Sequence, residues 1–115
     1  MTLGELIKFL SRENADIVVP LGFTHAHSYR GYYHNLAFEP AENVTIGAML
    51  ACARGALGRT FTGWKGGEYT MDEYHDVWLA EEGTTGEEIG PTLLRYMVGQ
   101  VGNTLIQSEL AGEAR

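Results

Sequence analysis

The run Ser28-Tyr29-Arg30-Gly31-Tyr32-Tyr33 gathers phenol rings, a hydroxyl and a guanidinium around one glycine. Phenol rings stack on a purine, a guanidinium forks onto a phosphate, and glycine lets a ligand approach the backbone closely. The combination suits a nucleotide. A second run, Gly58-Arg59-Thr60-Phe61-Thr62-Gly63-Trp64-Lys65-Gly66-Gly67, repeats that vocabulary, with cations, hydroxyls and aromatic rings spaced among glycines. It has neither the G-x-x-x-x-G-K-[ST] order of a Walker loop nor a dinucleotide fingerprint, so any phosphate cradle here is of another kind. Both runs also have purely structural readings. Tyrosines fill cores and Arg30 can pair with a carboxylate, while a glycine-rich hairpin can use Trp64 to cover a core edge.

His25-Ala26-His27, with His34, raises the question of a metal, because alternate residues of a strand point to one face. Zinc would still need a third ligand, and no H-E-x-x-H motif, cysteine pair or carboxylate spacing provides one. No metal is expected. His25 and His27 read better as hydrogen-bonding or stacking groups in a binding segment. The candidate ligand-binding set is therefore Ser28, Tyr29, Arg30, Gly31, Tyr32, Phe61, Thr62, Trp64 and Lys65, together with His25 and His27. Asp72, Glu73, Asp76, Glu81, Glu82, Glu87 and Glu88 lie at turns and strand ends, with no spacing that selects acid–base chemistry, and read as a solvated acidic face. There is no G-x-S-x-G elbow and no Ser/His/Asp order. Binding without catalysis and without a cofactor is the expectation.

The elements that must position these residues follow from periodicity. Thr2 and Glu5 have capping-box spacing, and Leu3, Leu6, Ile7 and Leu10 share one face, which predicts a helix over Thr2 to Arg12. Ile17 to Pro20 reads as a short buried strand, Leu21 to Tyr33 as a polar loop, and Asn35 to Phe38 as a second strand. Thr45 caps a further helix carrying Ile46, Met49, Leu50, Ala53 and Leu57, with Gly58 as its left-handed terminator. Short strands follow at Thr60 to Thr62, Tyr69 to Met71 and Val77 to Ala80, separated by glycine turns. Pro91 opens a last helix bearing Leu93, Leu94, Met97, Val98, Val101, Leu105 and Ile106, which Gly99 and Gly102 weaken. The predicted fold is a single α+β domain over residues 1–115, a small antiparallel sheet packed with two or three helices.

With 115 residues, 44% of them hydrophobic and 20% charged, the chain has room and apolar content for one core. No apolar run is long enough for a membrane span, and the N-terminus lacks signal-peptide order, so the sequence predicts a cytoplasmic protein without a membrane partner. Cys52 reads as a small buried hydrophobe. A net charge of −7 argues against DNA or RNA as a partner. The charge is uneven: Arg30, Arg54, Arg59 and Lys65 cluster in the middle, and the acidic residues dominate after Gly66, so an anion would be held by the middle segment. The apolar stripe of the last helix exceeds what so small a domain can cover, which predicts a homo-oligomer.

The S-Y-R-G-Y-Y and T-F-T-G-W-K-G-G blocks, Leu36-Ala37 after the first and Trp78-Leu79-Ala80 after the second resemble the first Thoeris anti-defence family of small phage proteins. The resemblance covers about Thr2 to Gly86. It implies a protein that sequesters cyclic ADP-ribose isomers made by bacterial TIR-domain enzymes and releases them intact, so that the host effector stays inactive. It also implies affinity for cyclic oligonucleotides, assembly into dimers or higher oligomers, and binding roles for Arg30, Phe61, Trp64 and Lys65. The helical tail after Gly90 departs from the family's shorter ending. Two other readings stand beside this one: a small cyclic-nucleotide phosphodiesterase using His25, His27 and an acidic partner, and a phage protein that binds a host protein through its tyrosines and tryptophan.

Overall fold

Thr2 starts the first helix as its spacing requires. In the computed structural model, which describes residues 1–99, its hydroxyl accepts the Glu5 amide at 3.2 Å and the Glu5 carboxylate accepts the Thr2 amide at 2.9 Å. That second bond holds the Glu5 carboxyl below its usual range. Helix α1 (Leu3–Ser11) buries Leu3, Leu6 and Leu10, one stripe of the helical period.

A long antiparallel hairpin follows, β1 (Val18–Ser28) and β2 (Asn35–Thr45), paired from Val18↔Thr45 to Ser28↔Leu36. The segment expected to be a loop from Leu21 to Tyr33 is therefore strand as far as Ser28. A shift of register between Thr24 and Ala26, with His25 at φ 32°, inserts an extra residue and changes which residues face inward. The buried residues consequently fall in adjacent pairs, Gly22 with Phe23 and Ala26 with His27, instead of alternating. Period-two patterning is lost while the ladder continues. Strand β2 likewise runs past its expected end at Phe38. Pro40 is tolerated because β5 pairs only as far as Phe38↔Leu79, and beyond that point β2 has β1 alone beside it.

Thr45 caps α2 (Ile46–Ala56) by accepting the Ala48 amide at 3.0 Å, and Gly58 takes φ 82° just past its end. A separate hairpin of β3 (Thr60–Thr62) and β4 (Glu68–Thr70) precedes β5 (Asp76–Leu79) and the short β6 (Glu87–Glu88). The main sheet has the order β1-β2-β5-β6. Its β2–β5 pair is parallel, so the α+β fold carries a mixed sheet where an antiparallel one was predicted. Parallel strands need a crossover, and α2 with the β3–β4 hairpin supplies it. Residues 91–99 are helical (α3), bonded from the start by the Leu94 amide to the Gly90 carbonyl; Val101, Gly102, Leu105 and Ile106 of the predicted helix lie outside the described residues.

One core joins these elements: Leu3, Leu6 and Leu10 of α1, Val19 and Phe23 of β1, Leu36 and Phe38 of β2, Ile46, Met49 and Ala53 of α2, and Leu94 and Met97 of α3. The Phe23 and Phe38 rings meet at 4.5 Å. Val44 of β2 and Met49 of α2 crowd β1 so closely that a Cβ at Gly22 would lie 2.6 Å from Val44 Cγ1 and 2.9 Å from Met49 Sδ. Both are side-chain tips that can shift. Gly22→Ala should therefore destabilise by about 1–2 kcal/mol, seen as a lower urea midpoint with an unchanged slope. A midpoint equal to the wild type would show that Val44 and Met49 do not hold those distances. Among the described residues no helix is long and apolar enough to cross a membrane.

Candidate functional site

The two sequence runs meet. Ser28 ends β1, and Arg30 and Gly31 both adopt left-handed backbone, at φ 53° and 78°. The Ser28 hydroxyl accepts the Gly31 amide at 3.1 Å and lies 3.0 Å from the Tyr69 hydroxyl of β4. This tight turn lays Gly31 against the glycine-rich hairpin, where the Trp64 amide donates to the Gly31 carbonyl at 3.0 Å. A Cβ at Gly31 would fall 2.6 Å from the Trp64 nitrogen. Only glycine satisfies both the turn and the approach.

Around that junction the chain exposes charge and rings. Arg30 is exposed, with its guanidinium carbon 5.9 Å from the centre of the Tyr32 ring and one N–H donated to the Thr85 hydroxyl at 3.2 Å. Tyr32 is 43% exposed and meets Tyr29 edge-on. Across the junction Trp64 is 66% exposed, and the Lys65 ammonium stands 5.0 Å from the centre of its ring. Two cation–ring pairs thus flank one backbone hydrogen bond. Thr62 is exposed on β3 beside them.

The other candidates serve the scaffold. Phe61 is 7% exposed, packed in the core near Tyr69 and covered by Arg59 at 4.6 Å, so its ring presents no free stacking face. Sequence reasoning placed it with Trp64; alternation along β3 turns it inward instead. Tyr29 is buried too, stacked on Trp78 at 4.5 Å, and its hydroxyl accepts the Gly86 amide. His27 is buried, with Nε2–H donated to the Ala80 carbonyl at 2.8 Å and Nδ1 3.1 Å from the Ser28 carbonyl oxygen. Both ring nitrogens face carbonyls, and the ring is not free to ligate. His25 is exposed at the bulge, its ring 6.2 Å from that of His27. Among the described residues no group of three His, Cys, Asp or Glu side chains converges.

Several residues outside the candidate binding set tie the neighbouring segments together. The Trp78 indole N–H donates to Asn35 at 2.7 Å. His75 is buried, with Nε2–H donated to the Tyr33 carbonyl at 3.0 Å and Nδ1 2.8 Å from an Asp72 carboxylate oxygen. The Tyr74 amide, and then His75, hold the Asp72 carboxyl below its usual range. The Trp78–Asn35 and His75–Tyr33 pairs are about forty residues apart in the chain, a separation at which spacing carries no signal, whereas the Asp72 contacts are local. Two clefts among the described residues, each about 400 Å³, lie elsewhere: one between β1, β2 and α3, the other at the start of α1. Neither is lined by Arg30, Tyr32, Trp64 or Lys65.

The fold and this surface define an α+β protein that presents paired cations and rings. No protein-family model, curated protein or solved structure matches the chain.

Proposed function

We propose that this protein is a phage anti-defence protein that binds cyclic nucleotide immune signals, cyclic ADP-ribose isomers foremost and cyclic oligonucleotides in addition, and holds them without cleaving them. The observation that carries the reading is the Trp64–Gly31 hydrogen bond, which puts Arg30 with Tyr32 beside Trp64 with Lys65. Guanidinium and ammonium suit a pyrophosphate, and exposed rings suit a base. The surface is open on one chain, and a homo-oligomer would enclose it by adding a wall from a second copy. The likeness to the Thoeris anti-defence family supports the same ligand and a location in the cytoplasm of the infected cell.

The test is to mix protein with a cyclic ADP-ribose isomer, remove the protein by filtration, and then denature it. The ligand should leave the filtrate and reappear chemically unchanged. At 100 times its dissociation constant it should also stabilise the fold by about 2.7 kcal/mol, which a melting curve resolves. A linear product would favour the hydrolase, although that reading loses His27 to the Ala80 carbonyl.

One observation favours a second reading. Exposed rings at Trp64, Tyr74 and Tyr96, the last two at the edges of the open clefts, also suit docking to a host protein. A stable complex from host lysate, with no melting shift from any nucleotide, would select it.

A further inference from the structure

Tyr33 closes the S-Y-R-G-Y-Y run, and its side chain reaches into the glycine-rich turn. Its hydroxyl oxygen accepts two amide protons from that turn, from Lys65 and from Gly67, each at 3.3 Å. Its ring lies directly on Gly63, where an added Cβ would fall 2.1 Å from the ring's Cζ and 2.2 Å from Cε1. The turn also closes on itself, with the Gly63 amide donated to the Gly67 carbonyl at 2.8 Å and the Gly66 amide to the Gly63 carbonyl at 2.9 Å.

Tyr33 is itself held from behind. Its carbonyl accepts the His75 Nε2–H, and its ring leans on Tyr69 at 5.3 Å, whose hydroxyl meets Ser28. The residues at the tip, Trp64 and Lys65, therefore stand on a base fixed from several sides. A glycine-rich turn left to itself samples many conformations, and each side chain that must be ordered on binding weakens affinity.

We infer that Tyr33 is a positioning residue: its phenol, seated on Gly63 and accepting the Lys65 and Gly67 amides, pre-sets Trp64 and Lys65 for a ligand that it does not itself touch. The ligand part of this inference rests on the proposed nucleotide function, whereas the ordering of Trp64 does not.

The experiment exploits the fact that the protein has two tryptophans, Trp64 and Trp78. Full-length protein is grown with 5-fluorotryptophan, and Trp64→Phe assigns the two fluorine resonances. Tyr33→Phe keeps the ring and removes the acceptor. It should shift or broaden the Trp64 line, leave the Trp78 line in place, and lower the melting temperature by no more than about 4–8 °C. Affinity for cyclic ADP-ribose should fall about tenfold. Gly63→Ala, which drives a methyl group into the ring from the other side, should move the same line.

An unmoved Trp64 resonance in both folded variants overturns the inference. So does equal displacement of both tryptophan lines, which would mean general loosening, and so does wild-type affinity in a Tyr33→Phe protein whose Trp64 line has moved. If Tyr33→Phe does not fold, Gly63→Ala decides alone. Wild-type protein that binds no nucleotide would remove the proposed function, and the fluorine spectra would still decide whether Tyr33 orders Trp64.

Discussion

Arg30→Gly should leave the protein at least as stable as the wild type while weakening cyclic ADP-ribose binding by tenfold or more, on the order of 1.5–3 kcal/mol for a charge-assisted phosphate contact. Most substitutions that impair function also cost stability, so the opposite signs make the experiment informative. Arg30 sits at φ 53°, a left-handed conformation that costs an L-residue roughly 1–2 kcal/mol and glycine almost nothing. Glycine should recover part of that strain. It loses in return one exposed hydrogen bond to Thr85 and an exposed cation–ring contact with Tyr32, both small terms in water. Strain retained at an exposed arginine is explained most simply by a role for its side chain. Arg30→Lys sharpens the comparison, because it retains charge and strain but loses the planar fork, and should bind between the two. Thermal melting and equilibrium dialysis on the three proteins suffice. Wild-type affinity in a folded Arg30→Gly protein would take Arg30 out of the site and the pyrophosphate contact with it.

Gly31→Ala should have the larger effect on structure, lowering stability by about 2–4 kcal/mol. Two causes add. Gly31 is at φ 78°, so any side chain is strained there, and its Cβ would stand 2.6 Å from the Trp64 nitrogen and 2.9 Å from the Trp64 Cα. Those atoms are backbone and cannot swing aside, unlike the side-chain tips that face Gly22. The Gly31–Trp64 hydrogen bond must lengthen or break, which adds about 1 kcal/mol and separates the two cation–ring pairs. Nucleotide binding should be lost even at temperatures where the variant is folded. Hydrogen exchange gives the local check: the Trp64 amide should lose protection while core amides of β1 and β2 keep theirs. Retained protection at Trp64 would show that the two runs are not joined as described, and the candidate surface would have no structural basis.

The helices were legible because each announces itself locally. Thr2 with Glu5, and Thr45 ahead of Ile46 and Met49, are capping signals whose partners lie within four residues, and both operate in the structure. The hairpin was legible only in part, since the extra residue at His25 breaks the alternation that marks a strand and Pro40 looks like a stop until β2 is seen to outrun β5. Of the site, the two chemical vocabularies were visible as runs of residue types. Which ring turns inward was not visible: Phe61 and Trp64 are both large aromatic residues in sequence, but one lies on the inner face of β3 and the other at the tip of a turn.

Composition and short-range spacing determined the fold class, the helix starts and the location of cations among glycines and rings. Only the tertiary structure decided that Gly31 lies under Trp64, that His27 is claimed by Ala80, and that the Tyr33 hydroxyl accepts amides of the glycine-rich turn. The reason is the range of the forces involved. Caps and periodicity are set by neighbours one helical turn away, whereas these pairings join residues some thirty to fifty positions apart, and they form only once the core has fixed where each strand ends.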